Sequence, residues 1–125
     1  MEREKILIID EAGFSRVCSA ILEAEGYRAA TIPHECSEPQ AVPGDGVGLV
    51  ITSYPYGLRF FEDLCRYSLP VIVLTDHISK ELIAALEGLE SSICMIKPLD
   101  YQKFTSVVRE IMAGTYLNQG GYSIV

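Results

Sequence analysis

Missing from this chain is any C-x-x-C pair or any Cys/His group with zinc-site spacing, which excludes the common zinc and dithiol-redox motifs. Its four cysteines are scattered at positions 18, 36, 65 and 94, and its two histidines, His34 and His77, stand apart. Basic residues are also scarce. Ten Lys and Arg face 17 Asp and Glu, a formal charge of −7, which argues against binding nucleic acid or an anionic membrane surface. The start, Met1-Glu2-Arg3-Glu4-Lys5, leads into an apolar run of only four residues, so neither a signal peptide nor a membrane span is expected. No Gly-rich phosphate loop follows that run, since Ala12-Gly13-Phe14 is too sparse. Finally, no Asp or Glu occurs anywhere from Gly46 to Phe61.

What remains is a folded chain. At 125 residues and 49% apolar composition, it is the size of one domain with a substantial core and no disordered tract. Cys18, Cys65 and Cys94 lie among apolar neighbours and read as small core residues. Cys36 falls in an expected loop and is the thiol most open to reaction. Reduced cysteines fit a cytoplasmic location.

The apolar runs alternate with helical patterns. Ile6 to Ile9 is a continuous apolar run rich in β-branched residues, as in a strand covered on both faces. Ser15 can cap a helix carrying Val17, Cys18, Ile21 and Leu22, with Gly26 as its stop. Tyr27 to Ile32 reads as a second strand. Pro33, Pro39 and Pro43 then disfavour regular structure up to Gly46. Val47 to Thr52 is the third strand, followed by a helix from Leu58 to Tyr67. Val71 to Leu74 is the fourth strand, and Ser79 can cap the helix after it. Ile93 to Ile96 is the fifth strand, and Asp100 can cap a last helix ended by Gly114. Such alternation predicts a doubly wound α/β fold with a parallel sheet. Residues 1–114 form the expected domain. Residues 115–125, with Gly120-Gly121 and no charge, form a short tail expected to be flexible, with Tyr122 to Val125 extended.

In such a sheet the carboxyl ends of the strands share one crevice. Asp10-Glu11 closes the first run, Ser53 lies at the end of the third, Thr75 closes the fourth and Lys97-Pro98 the fifth. This set resembles the active site of response-regulator receiver domains over roughly residues 5–113. The resemblance implies the flavodoxin-like strand order 2-1-3-4-5. It implies an acid pocket for Mg²⁺ at Asp10 and Glu11, phosphate contacts at Thr75 and Lys97, and a cis bond before Pro98. Ser53, however, stands where the family has its phosphoacceptor aspartate. Cys94 stands in the slot of the aromatic that pairs with the switch hydroxyl. The loop Tyr54-Pro55-Tyr56-Gly57 is shorter than the family's.

A neutral hydroxyl is a poor Mg²⁺ ligand and a weak nucleophile without a base. The resemblance therefore implies an atypical, degenerate receiver: a stand-alone module of two-component signal transduction, not an enzyme, requiring no cofactor and holding Mg²⁺ weakly if at all. It is expected to act by phosphorylation-independent contact with a histidine kinase or a downstream signalling protein. The face made by the fourth helix, fifth strand and fifth helix, Ser79 through Arg109, is the expected interaction or homodimer surface. Lys97, with no phosphoacceptor carboxylate, is expected to pair with Asp10 or Glu11. Two alternatives stand beside this: phosphate uptake at a residue other than Asp, and a small-ligand or flavin protein on the same topology.

Overall fold

The structure is a computed structural model and describes residues 5–10, 12–33, 46–54, 69–89, 91–114 and 121–125. The helix expected over Leu58 to Tyr67, the irregular stretch before Gly46, and residues Glu11, Cys36 and Cys65 lie outside these.

Six described strands form one sheet: β1 (Lys5–Asp10), β2 (Arg28–Pro33), β3 (Val47–Ser53), β4 (Val71–Thr75), β5 (Ser91–Ile96) and β6 (Gly121–Ile124). All pairings are parallel, in the order β2-β1-β3-β4-β5-β6. The first five reproduce the expected order. The sixth comes from the tail, whose extended end pairs with β5 where a flexible end was expected. Tyr122 to Val125 has the composition to do this, a β-branched and aromatic run free of charge.

The central strands are apolar on both faces, because helices or further chain cover both sides. Ile6 to Ile9, Leu49 to Ile51 and Val71 to Leu74 are all buried. Alternation sorts them. Leu7, Ile9, Val50, Val71, Val73 and Cys94 pack with Leu82, Leu86 and Leu89 on one face. Ile6, Ile8, Leu49, Ile51, Ile72, Leu74, Ile93 and Met95 pack with Cys18, Leu22, Phe104, Val107 and Val108 on the other.

Three helices are described: α1 (Ala12–Ala24), α2 (Lys80–Glu87) and α3 (Tyr101–Ala113). The latter two correspond to the expected fourth and fifth helices. The Ser79 side chain accepts from the Leu82 amide, and Asp100 from those of Gln102 and Lys103, which satisfies donors that a helix start leaves open. Gly114 ends α3 in the left-handed region at φ 77°, where only glycine sits without a steric cost. Helix α1 departs from expectation. It begins at Ala12, so Ser15 lies inside its first turn and does not cap it. Val17, expected to face the core, is half exposed. Among the described residues no helix is long and apolar enough to cross a membrane.

Candidate functional site

β1 and β3 are neighbours, with Ile9 opposite Thr52. Asp10 and Ser53 therefore end adjacent strands one residue further on, on the face shared by Ile8 and Ile51. Both are fully buried. The Ser53 hydroxyl donates to Asp10 Oδ2. Thr52 ties the same strands together, its hydroxyl donating to the Ile9 carbonyl at 2.8 Å.

Backbone bonds carry the edge onward. The Tyr54 amide donates to the Leu74 carbonyl and the Lys97 amide to the Thr75 carbonyl, each at 2.8 Å. The carboxyl ends of β3, β4 and β5 thus lie side by side, bringing Ser53, Thr75 and Lys97 to the edge that holds Asp10. The Thr75 hydroxyl donates to the His77 carbonyl at 2.8 Å, so its proton is engaged two residues along its own chain. The Lys97-Pro98 bond is cis. Glu11, the second acid of the expected pair and an expected partner of Lys97, lies outside the described residues.

Phe14, absent from the expected set, also belongs to the site. The Lys97 ammonium lies over its ring, 4.9 Å from the centroid, close enough for a cation–π attraction. Because α1 starts at Ala12, Phe14 occupies its first turn; an aromatic so soon after a strand-ending acid was the available signal.

One thiol, Cys18, borders the site, and a second, Cys94, lies in the core on the other face of the sheet. Burial, and secondarily the negative charge of Asp10, pushes the Cys18 thiol from 9.0 up to about 12. Cys94, in the expected switch slot, is buried at the centre of β5. Burial raises its pKa as well. Its small side chain is packed into the core with Leu82 and Leu86 on the α2 face of the sheet. A cavity of about 410 Å³ opens next to Asp10, between α1 and Thr31 of β2, lined also by Ser15, Arg16, Ser19 and Glu23.

Mg²⁺ asks for several hard, anionic oxygens in near-octahedral array. At the described site the donors are one carboxylate, already accepting a hydroxyl, and one neutral serine. Among the described residues no three of His, Cys, Asp and Glu come together to hold a metal ion. With Glu11 outside the described residues, the described donors are fewer than Mg²⁺ asks for.

No family model matches the chain, and no curated protein matches its sequence. Solved structures do match in fold. A two-component response regulator from Clostridium difficile superposes with a TM-score of 0.71 at 20% identity, over 87% of this chain and 95% of that one. The non-phosphorylated HemR receiver domain from Leptospira biflexa gives 0.71 at 19% identity, over 91% and 98%. A CheY-like response regulator receiver domain from Methanospirillum hungatei gives 0.64 at 20% identity, over 90% and 95%. The chain has the fold of response-regulator receiver domains. At the end of its β3 stands Ser53, hydrogen-bonded to Asp10.

Proposed function

We propose that this chain is an atypical receiver module of two-component-type signalling that works by protein–protein contact, without an aspartyl phosphate and without a required metal. The observation that carries this reading is the Ser53–Asp10 hydrogen bond. A receiver's acid pocket is a cluster of like charges that a cation must neutralise. Here the serine supplies a proton donor to the remaining acid, so the described part of the pocket is satisfied from within. With no carboxylate at the end of β3, no acyl phosphate can form there. The partners that fit are a histidine kinase or a downstream signalling protein, and the module itself catalyses no reaction.

The same bond favours a second reading. A hydroxyl donating to a carboxylate is also the geometry of a nucleophile and its base. Against it, Ser53 is fully buried, and a carboxylate is a far weaker base than the histidine that usually serves. Incubation with acetyl phosphate and Mg²⁺, read by intact mass, separates the two. The proposal expects no phosphate adduct and no stabilisation by beryllofluoride. An adduct mapping to Ser53 and stable to hydroxylamine would establish the serine phosphoacceptor and end the phosphorylation-independent reading.

A further inference from the structure

The sixth strand covers an edge that the five-stranded fold leaves open. β6 lies along Ser91 to Cys94 in parallel register, and the Val125 amide donates to the Cys94 carbonyl at 2.9 Å. Its side chains divide between the two faces of the sheet. Ile124, opposite Cys94, falls on the α2 face and is 47% exposed. Val125 packs against the cluster that includes Phe104 and Val108.

We propose that the β5 edge is a strand-docking groove, that residues 121–125 hold it closed in the same chain, and that the partner it fits is an extended, uncharged, β-branched peptide segment adding parallel to β5. This deepens the interaction role proposed above and rests on it. The occupant's chemistry is read from the segment seated there, Gly-Tyr-Ser-Ile-Val, which brings main-chain hydrogen bonds and one apolar anchor but no charge. The receiving strand, Ser91 to Ile96, has no charge either. Main-chain bonds supply the affinity in such strand addition, and side-chain pockets the selectivity. β6 is also built to leave. It spans four residues, pairs among the described strands with β5 alone, and is followed by a half-buried valine. Short, singly paired segments occupy the low end of the local-opening scale. An apolar flank borders the groove already, since Ile96, on the same face of the sheet as Cys94, is 43% exposed. Natural edge strands usually carry charge to prevent such pairing; residues 115–125 carry none.

The test uses the full chain. Amides alternate in direction along a strand, so the Ser123 amide points to β5 as that of Val125 does, and Ser123→Pro removes it. Val125→Asp removes the anchor and leaves the backbone intact. Binding of a fluorescein-labelled Gly-Tyr-Ser-Ile-Val peptide is followed by anisotropy for the parent and both variants, with melting curves to establish folding. A tethered tail competes at an effective concentration on the order of millimolar. The release variants should therefore bind the peptide at least about tenfold more tightly than the parent. A peptide with Asp in place of its isoleucine and valine should not bind. Folded release variants that take up the peptide no better than the parent would overturn the proposal. So would a parent that runs as a dimer and takes no peptide, since the occupant would then be the tail of a second copy. Phosphodonor uptake is a separate readout, so loss of the groove leaves the phosphorylation-independent reading standing, and the reverse also holds.

Discussion

The Ser53 hydroxyl donates to Asp10 across the boundary between β3 and β1, with both side chains closed off from solvent. A buried carboxylate must be compensated by hydrogen bonds or opposite charge. Here part of that compensation comes from the Ser53 hydroxyl. In the reading proposed above, that serine stands where a phosphoacceptor carboxylate would otherwise call for a cation.

Removing the donor tests this relationship. Ser53→Ala leaves Asp10 buried with one partner fewer, and a buried acceptor that loses a bond costs about 1–3 kcal/mol. The urea midpoint should fall accordingly with an unchanged m-value. A midpoint equal to the parent's would mean that the bond carries no stability.

The thiol at the heart of α1 gives a pH prediction. Cys18 is raised from 9.0 to about 12 in the folded chain, so above pH 9 the unfolded state loses a proton that the folded state keeps. Stability from this group is complete below about pH 9 and declines as pH rises toward about 12. The fall in unfolding free energy between pH 9 and 11 should therefore be steeper in the parent than in Cys18→Ala. Parallel curves would contradict the placement of this thiol. For the same reason Cys18 and Cys94 should resist iodoacetamide at pH 8 until the chain is unfolded.

The helix starts that flank the edge make a third prediction. Asp100 accepts from two backbone amides and Ser79 from one. Replacing either by alanine should cost about 1 kcal/mol, while Asp100→Asn should be nearly neutral. Denaturation curves of the three variants check this. A silent Asp100→Ala would show that the cap is not formed.

Much of this was readable in the residues. Ile6 to Ile9, Leu49 to Ile51 and Val71 to Leu74 are unbroken apolar runs because both faces of the sheet are covered, and such runs have few other homes. Ser79 and Asp100 precede helical patterns and do cap them. The third apolar run closes at Thr52-Ser53, which marks Ser53 as the end of β3. Other features depend on distances that a sequence does not carry. Helix α1 already begins at Ala12, two positions beyond the end of β1, leaving Ser15 inside the helix. Phe14 meets Lys97 only because the first turn of α1 and the end of β5 share an edge. The tail has strand composition, but its pairing needed an open β5 edge, which is a property of the sheet as a whole.

The most direct measurement is the response of the melting temperature to Mg²⁺ in the parent and in Ser53→Asp. The substitution removes a hydrogen-bond donor and crowds a second carboxylate against Asp10, so without metal the variant should melt below the parent. It also restores the anionic oxygens that Mg²⁺ seeks. Metal at one hundred times its dissociation constant then stabilises the folded variant by about 2.7 kcal/mol. The predicted result is a rise of several degrees for Ser53→Asp and little change for the parent. An equal rise in both proteins would mean that Ser53 does not occupy the position of the receiver aspartate, and would contradict the site as described.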